Sequence, residues 1–310
     1  MIVAGAGLAG LIAASMLRDE VEGVYELQSQ LPHNHSALLR FRSSVVGDAV
    51  GIPFRKVKVM KSVDPWRNPV ADALMYSMKC TGKAQLRSVV SAAGEIEERF
   101  IAPDDFIPRL AKQVGPKIAF NAGVENALGR HKVISTVPMP AMMDLLGWED
   151  KPAFDFTSGW TITCDLPKSI DVCATVYMPH PAVEPYRASI TDHRLIIEVS
   201  DWQLNSQQQE PSKELAIGAA CMALGLDHLM DYVKEHHEMK RMKYAKILPI
   251  PDAVRKRFII WASEKHNVYS LGRFATWRPG LLLDDVVNDV RQIQKMASGE
   301  VHSYKSMLKG

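Results

Sequence analysis

The chain has 310 residues, 47% of them hydrophobic, so it can bury the core of one large domain or of two interleaved ones. Its formal charge of +2 excludes a strong global field for nucleic acid or a membrane surface, although local basic patches remain open. The four cysteines show no CxxC pair and no metal-ligand spacing, which predicts buried, reduced thiols and no metal centre. The apolar runs are too short to span a bilayer, and we expect a soluble cytoplasmic protein without a membrane partner.

The opening stretch "MIVAGAGLAGLIAASML" has the pattern of a dinucleotide-binding unit. Residues 2–4 predict a short buried strand, the glycines predict a turn, and residues 11–17 continue as a helix of small and apolar side chains. Glycine permits the tight turn, lets the backbone approach a pyrophosphate, and lets the helix pack on the strand. Free amides at the positive end of the helix then face the phosphates. The residues predicted to contact the cofactor here are Gly5, Gly7, Leu8, Ala9 and Gly10.

A second predicted strand, from Gly23 to Leu27, carries a carboxylate at its end. Glu26 follows the first glycine by about 20 residues, the spacing at which a carboxylate accepts hydrogen bonds from ribose hydroxyls. We therefore predict Glu26 as the ribose ligand and Leu27 as a neighbouring contact. The same unit binds the ADP half of FAD or of NAD, so this stretch alone leaves that choice open. A glycine turn without a ligand is the structural alternative.

Two later segments have the same order of strand, turn and helix. Residues 133–136 predict a buried strand, and a proline-rich turn and a helix to Leu146 follow it. Near the C-terminus, residues 268–271 predict an apolar strand that leads into Gly272, Arg273, a loop and an amphipathic helix from about Asp284. A second glycine turn and a second helix start would cover the other end of an extended cofactor.

Together these three segments resemble the superfamily of FAD-dependent amine oxidases, protoporphyrinogen oxidases and UDP-galactopyranose mutases. In that superfamily the first segment binds ADP, and a terminal Gly-Asp or Gly-Arg segment contacts the ribityl chain, the pyrophosphate and the isoalloxazine ring. The stretch "GRFATW" is most similar to the mutase branch, in which a later aspartate opens the last helix. The resemblance implies noncovalent FAD, because no cysteine matches the flavin attachment site of the family.

The resemblance also implies further cofactor contacts. The arginine that binds the pyrophosphate in the family has no direct match, so Arg40 or Arg42 is expected in its place. Val124 lies where the family has a strand whose valine backbone contacts adenine. The remaining positions implied as cofactor contacts are Thr136, Gly272, Arg273, Asp285 and Val286.

We expect an α/β fold, in which a Rossmann-like FAD-binding domain with a parallel sheet is interleaved with an α+β substrate domain built on a mixed β-sheet. The runs "GWTITCDLP", "DVCATVYMP" and "HRLIIEVSD" predict strands of the second domain. Helices are expected from Ser212 to Leu224 and from Asp227 to Glu238. The FAD-binding domain is predicted to comprise residues 1–60, 85–147 and 262–310, and the substrate domain residues 61–84 and 148–261.

Four side chains are predicted to form the catalytic site. Arg187 and Tyr186 would meet an anionic substrate over the flavin ring, since a guanidinium binds carboxylate or phosphate well. A salt bridge within the strand is the alternative for Arg187. Trp277 would form a wall of the pocket or pack in the core. Lys246 is an acid–base candidate.

Other polar residues leave alternatives open. Lys243 and His266 are acid–base candidates that the sequence does not rank below Lys246. His33 and His35 lack a third ligand, so they predict a loop near the flavin and not a metal site. The basic runs "FRKVKVMK", "KRMKYAK" and "RKRF" predict either a solvated surface or a site for a phosphate-rich substrate such as a nucleotide sugar or DNA.

The favoured function is that of an FAD-dependent oxidoreductase of the amine oxidase type, acting on a C–N bond of an amine or amino-acid group. The stretch "HNHSALLRFRSSVVGDAVGIPFRKVKV" resembles bacteriophage flavoproteins that remodel amino-acid-decorated thymines in DNA. That resemblance implies an oxidase or lyase acting on a modified thymine in the cytoplasm of a bacterial or phage-infected host cell. The alternatives are a mutase-like isomerase of a nucleotide sugar and a flavin-binding protein without catalysis. The expected partner is a small-molecule amine or a modified nucleotide, and the sequence predicts no oligomeric state.

Overall fold

The computed structural model describes residues 1–32, 38–64, 68–84, 95–168, 172–204 and 210–300, so His33 and His35 lie outside it. The strands in these ranges are β1 (Ile2–Ala4), β2 (Gly23–Glu26), β3 (Arg40–Phe41), β4 (Arg55–Val63), β5 (Glu95–Ile101), β6 (Ile118–Phe120), β7 (Val133–Ser135), β8 (Phe156–Asp165), β9 (Cys173–Tyr177), β10 (Pro185–Thr191), β11 (Arg194–Ser200), β12 (Glu238–Ile247) and β13 (Val268–Ser270). The α-helices are α1 (Leu8–Met16), α2 (Val45–Val50), α3 (Pro69–Thr81), α4 (Phe106–Val114), α5 (Met139–Leu145), α6 (Lys213–Leu224), α7 (Met230–Glu235), α8 (Asp252–His266), α9 (Gly272–Ala275) and α10 (Leu283–Ala297).

The smaller sheet is parallel and takes its strands from the beginning, the middle and the end of the chain. Its order is β13-β7-β1-β2-β6, and each neighbouring pair runs in the same direction. β1 and β7 are buried along their whole length, which explains why they are short runs of small and apolar residues without polar alternation. α1 packs against α4 and α10, so helices from distant parts of the sequence lie together next to the first glycine turn.

The larger sheet is mixed, with the order β12-β8-β11-β10-β9-β4-β5-β3. Its pairs are antiparallel except for β4 and β9, which run parallel. One face is apolar, and its residues Ile162, Ala188 and Ile197 share a core cluster with Ile217 of α6. Because side chains alternate along a strand, the opposite face carries the intervening polar residues. Those buried hydroxyl side chains are Thr161, Thr163, Thr175 and Ser189.

The predicted fold class is confirmed, since a parallel sheet and a mixed sheet are both present. The helix predicted from Asp227 to Glu238 is shorter than expected: α7 ends at Glu235, because Glu238 already pairs with β8. β3, β4 and β5 come from segments that we assigned to the FAD-binding domain, yet they hydrogen-bond into the larger sheet, and residue 60 falls inside β4. All four cysteines are buried and unpaired, as the composition predicts.

A buried lysine fastens the loop between β9 and β10 to α3. Lys79 is 2% exposed, and its Nζ donates to the carbonyl oxygens of Met178 (2.8 Å), His180 (2.9 Å), Pro185 (2.8 Å) and Val183. Burial lowers the pKa of Lys79 to about 7, whereas four carbonyl dipoles pointing at the nitrogen favour the ammonium form. One side chain with three N–H donors therefore lies within hydrogen-bond distance of four backbone carbonyls, in the loop and at the first residue of β10.

Lys79→Met should lower the free energy of unfolding by about 2 to 4 kcal/mol, because four carbonyl groups lose their donor while the apolar stem is retained. Urea unfolding followed by circular dichroism measures the change. Lys112→Met is the matched control: Lys112 is exposed on α4, and its substitution should cost less than about 0.5 kcal/mol. Equal stabilities of the two variants would contradict the role given to Lys79.

Candidate active site

The glycine turn between β1 and α1 is packed too closely for a side chain at two positions. A Cβ at Gly10 would lie 1.9 Å from the carbonyl oxygen of Gly5, and Gly5 itself has a φ of +95°. A Cβ at Gly7, by contrast, would have no atom within 4 Å, so open space lies over the middle of the turn. α1 begins at Leu8 without an acidic residue in its first turn, which leaves its first amides and its positive end available to an anion.

Thr136 braces this turn from the end of β7. Its hydroxyl donates to the carbonyl oxygen of Ala4 (2.8 Å), and its amide donates to the same oxygen (2.9 Å). Its Oγ1 lies only 2.2 Å from the place that a Cβ at Gly5 would occupy. The hydroxyl predicted to contact the cofactor therefore has a protein acceptor in the turn itself, and its contact with a cofactor stays a prediction.

Glu26 lies at the end of β2 with its carboxylate beside the turn. Oε2 accepts a hydrogen bond from the amide of Ala6 (2.7 Å), and Oε1 accepts one from the amide of Gln28 (2.9 Å). Each carboxylate oxygen has a further lone pair, so Glu26 can also accept a ribose hydroxyl. Leu27 is 73% exposed next to it. Ribose binding by Glu26 stays a prediction, made at a position where the carboxylate is already oriented.

The guanidinium of Arg40 is hydrogen-bonded to β9 and β10 of the larger sheet, so it is not a free cation at the glycine turn. Its guanidinium donates to the hydroxyls of Thr191 and Thr175, each at 2.8 Å, and to the carbonyl oxygens of Ala174 (3.0 Å) and Ile190. These bonds use most of the donors that a guanidinium has. The expectation that Arg40 binds the pyrophosphate is corrected for this reason.

Arg42 is exposed and stays the predicted pyrophosphate ligand. Its amide and that of Ser43 donate to the carboxylate of Asp284 (2.9 and 3.0 Å), which places Arg42 beside the start of α10.

Val124 begins a turn of 3-10 helix and not the predicted strand, because the chain turns after β6 at Asn121, whose φ is +53°. Adenine binding by the Val124 backbone stays a prediction.

The Gly272 segment meets the glycine turn directly. A Cβ at Gly272 would lie 3.1 Å from the Cβ of Ala9, and Gly272 opens the short helix α9 where a loop was predicted. Asp285 and Val286 use their side chains within α10: Asp285 accepts from the amide of Leu282 (2.8 Å), and Val286 is packed in the core. Backbone amides at the start of α10 are therefore the groups that these two positions offer to a cofactor.

The polar face of the larger sheet holds a buried ion pair. Arg187 donates from Nη2 to Oε1 of Glu198 (2.7 Å) and from Nε to Oε2, and the hydroxyl of Tyr186 donates to Oε1 (2.9 Å). Burial alone would raise the pKa of Glu198, but Arg187 holds it below its usual range, while burial raises the pKa of Tyr186. Arg187 is thus in the salt bridge that the sequence analysis kept as the alternative to substrate binding.

Two more cations lie beside this ion pair. Lys246 on β12 has its Nζ 4.6 Å from the centre of the Tyr186 ring. Arg273 on α9 has its guanidinium carbon 6.0 Å from the Phe274 ring, and its Nε is buried without a hydrogen-bond partner in the described parts of the chain. Burial lowers the pKa of Lys246 and of Arg273, and the charge of Arg187 lowers both further. The predicted residues Arg187, Tyr186 and Lys246 therefore converge, and Arg273 joins them.

Trp277 lies in the core. It is 1% exposed, its Nε1 donates to the carbonyl oxygen of Leu248 (2.8 Å), and its ring packs edge-on against Phe154 and Tyr244. A fully buried indole has no face to offer to a substrate. The prediction that Trp277 forms a wall of the pocket is corrected, and packing in the core is its role.

The group of Arg187, Glu198, Tyr186, Lys246, Arg273 and Tyr76 is called the charged cluster below, and two of its members were not predicted from the sequence. Glu198 is the acid within the apolar run "LIIEV", and a charge inside a buried strand predicts a buried partner, so this signal was present. Tyr76 packs edge-on against Tyr186 from α3, with 6.0 Å between ring centres. No local pattern marks Tyr76, because its contact joins distant parts of the chain.

Ion pairs within the chain offset much of the charge of the predicted basic surfaces. On β4, Lys56 pairs with Glu98 (2.8 Å) and Lys61 with Glu97 (2.5 Å) of β5. In the other two basic runs, the pairs are Arg241 with Asp201, Arg255 with Asp252, and Arg257 with Asp150. Neutralised pairs of this kind favour the interpretation as a solvated surface.

Two surface cavities lie away from the glycine turn. One, of about 330 Å³, is at the end of β8 and is lined by Phe156, Trp202 and Leu248 among others. The other, of about 510 Å³, is beside β5 and is lined by Ile101 and Asp192 among others.

Within the described ranges, no cluster of histidine, cysteine and acidic side chains is arranged to hold a metal ion. In the same ranges, no helix combines the length and apolar character needed to cross a membrane.

The fold matches solved structures at low sequence identity. An oxidoreductase from Methanosarcina mazei is 11% identical with a TM-score of 0.58, and the match covers 95% of this chain and 99% of that one. The 2-methyl-3-hydroxypyridine-5-carboxylic acid oxygenase is 12% identical with a TM-score of 0.50, over 96% of this chain and 87% of that one. Aklavinone-11 hydroxylase, solved with FAD and aklavinone, is 14% identical with a TM-score of 0.51, over 96% and 62%. No protein-family model and no curated protein matches the sequence. At these identities the likeness shows a shared fold.

Gly10→Ala should destabilise the protein by about 3 kcal/mol, because the new methyl group would overlap the carbonyl oxygen of Gly5. Gly7→Ala is the matched control in the same turn: its φ is −65° and its surroundings are open, so the cost should stay below about 1 kcal/mol. Thermal unfolding followed by circular dichroism compares the two. A similar loss in both variants would show that the close contact at Gly10 is not the constraint.

Proposed function

We propose that the protein is an FAD-dependent oxidoreductase. The observation that carries the proposal is the convergence of three segments at one turn: Gly5 to Gly10 form it, Thr136 braces it, and Gly272 contacts it at Ala9. An ADP-binding unit needs only the first segment, whereas a longer cofactor needs a second helix start at its other end. The structures that share the fold include an oxygenase, an oxidoreductase and a hydroxylase bound to FAD, which supports the proposal.

The residues around the turn fit the ADP half of FAD. The first amides of α1 would hold the pyrophosphate in the open space over Gly7, and Glu26 would accept the ribose hydroxyls. Arg42 would add positive charge beside the start of α10. Gly272 and Arg273 would lie toward the flavin end. All four cysteines are buried, which fits a noncovalently bound cofactor.

Bound FAD supplies a two-electron oxidation, and the chain supplies orientation and exclusion of water. Lys246 is the acid–base residue of the proposal, since burial and the charge of Arg187 lower its pKa and make the neutral amine more accessible. Arg187 and Tyr186 are both held by Glu198, so they position the site.

The finer activity that we propose is oxidation of a C–N bond. An amine that becomes an imine loses a hydride from carbon and a proton from nitrogen, and a lysine with a lowered pKa can accept that proton. Hydroxylation is the second candidate, favoured by the oxygenase and the hydroxylase among the structures with this fold.

Three other hypotheses receive less support from the geometry. A mutase-like reaction on a nucleotide sugar would use arginines to bind the phosphates, but the guanidinium groups of Arg40 and Arg187 already bind the protein. A modified thymine in DNA stays a proposed substrate, although the ion pairs of β4 with β5 weaken the electrostatic case for DNA. A flavin-binding protein without catalysis would have no use for a lysine of lowered pKa at the site.

The purified protein should bind FAD noncovalently, and Gly7→Ala should weaken binding by at least about tenfold while the fold is retained. The physical reason is that the methyl group would occupy the open space over the turn, where the pyrophosphate is proposed to lie. Quenching of flavin fluorescence during titration measures the affinity. Gly218→Ala on α6 is the matched control, because its Cβ would meet only the sulfur of Met230, at 4.0 Å. A wild-type protein that binds no FAD would overturn the proposal.

An amine substrate should reduce the bound flavin under anaerobic conditions without a nicotinamide, and stopped-flow absorbance measures this step. Lys246→Met should slow it by about 10²- to 10⁴-fold, because the proton acceptor is lost. Lys240→Met, exposed on the same strand, should leave the rate unchanged. If the flavin is reduced only when a nicotinamide is added, and equally fast in the wild type and in Lys246→Met, the result would favour hydroxylation. It would contradict oxidation of an amine.

A further inference from the structure

Among the residues that the structure describes, two cations beside the ion pair of Arg187 and Glu198 form no ion pair of their own. Lys246 lies over the ring of Tyr186, and Arg273 has a buried Nε without an acceptor. Across the residues that the structure describes, no hydrogen bond or ion pair joins either cation to a carboxylate or a carbonyl oxygen. Three cationic groups therefore surround one carboxylate, and the cluster has positive charge in excess.

This excess is unfavourable, because Lys246 and Arg273 are only partly exposed to solvent. Burial lowers the pKa of Lys246 and of Arg273, so the surroundings disfavour both charged forms. Glu198 offsets them only in part: its charge raises the pKa of both, but both of its oxygens bind Arg187 and one of them also accepts from Tyr186. A partly buried cation without an anion of its own is destabilising. A ligand that carries negative charge would remove this cost.

The two cations approach from different layers of the molecule. Lys246 is on β12 of the larger sheet, and Arg273 is on α9, shortly after β13 of the smaller sheet. The residue before Arg273 is Gly272, which contacts Ala9 of the glycine turn. A group held by both cations would lie between the layers, on the side of the proposed cofactor. An ammonium and a guanidinium together suit an oxygen anion, because both donate charged hydrogen bonds.

We propose that Arg273 and the protonated form of Lys246 bind an oxyanion, either a carboxylate or a phosphate, that the substrate carries. A protonated Lys246 cannot accept a further proton, so this inference replaces the role of proton acceptor that the proposed function gives to its neutral amine. The identification of its carrier as the substrate rests on the proposed function, whereas the oxyanion site itself rests on the two unpaired cations. The substrate class is then an acidic molecule, such as an amino acid or a phosphorylated amine, and not a neutral amine. Arg187 acts as a positioning residue, because Glu198 holds its guanidinium.

Calorimetric titration of the FAD-free full chain with sodium benzoate and with inorganic phosphate tests the proposal. The wild type should bind at least one probe, and Lys246→Met and Arg273→Met should each weaken that binding by at least tenfold. Lys240→Met, exposed on the same strand as Lys246, should bind like the wild type. Preference for benzoate would identify a carboxylate as the source, and preference for phosphate would identify a phosphate. Circular dichroism verifies that each variant is folded.

FAD titrations of the same variants separate this inference from the proposed function. Lys246→Met should retain the FAD affinity of the wild type. If this variant loses FAD affinity together with oxyanion affinity, the cations bind the flavin cofactor, and the assignment to the substrate is overturned. A wild type that binds neither probe, or a Lys246→Met that binds as tightly as the wild type, would overturn the oxyanion site. Oxyanion binding without FAD binding would leave the site standing and contradict the proposed function.

The pH dependence of benzoate binding provides an independent readout. The charged and titratable groups that face Lys246 are Arg187, Glu198, Tyr186, Cys80 and Arg273. Because the pKa of Lys246 is lowered, benzoate affinity should fall as the pH rises through a value below the ordinary lysine range. Lys246→Arg should keep its affinity over that interval, since a guanidinium stays protonated. A wild-type affinity that is independent of pH there would contradict the role of Lys246.

Discussion

The contact between Gly10 and the carbonyl oxygen of Gly5 is the constraint on which the rest of the structure depends. Because no side chain separates the two, α1 begins directly on the end of β1, and the space over Gly7 stays open. The same close packing lets Thr136 reach the turn from β7 and lets Gly272 reach it from α9. Backbone contacts thus hold three distant segments around one small volume, and the charged cluster of the larger sheet adjoins it through the residue that follows Gly272.

The elements that could be predicted are those whose signals are local. The strand and turn of the first segment follow from glycine spacing, and the carboxylate of Glu26 follows from its distance along the chain. α6 is predictable at both ends, because Ser212 accepts the amide of Leu215 at its start and Gly225 has a left-handed conformation after its end. Runs rich in threonine, valine and isoleucine also predict β8, β9 and β11 of the larger sheet.

The side-chain roles that the sequence did not predict depend on contacts between distant segments. Arg40 and Arg42 are two residues apart and look equivalent in the sequence, yet one donates into β9 and β10 and the other is exposed. Trp277 follows a Gly-Arg pair that suggested a pocket, but packing by Phe154 and Tyr244 encloses it. The pairing of β4 with β5 decides which sheet they join, and no pattern within either strand specifies its partner.

The order of the smaller sheet has a consequence for synthesis of the chain. β13 adds to the sheet next to β7, α10 packs against α1, and the carboxylate of Asp284 holds the amides that precede α2. β13, Asp284 and α10 all lie near the C-terminus, so they leave the ribosome after most of the chain has been made. The part of α1 that α10 covers therefore stays exposed during translation, although α4 can already pack on α1, and the nascent N-terminal segment is a client for chaperones until the last helix is made.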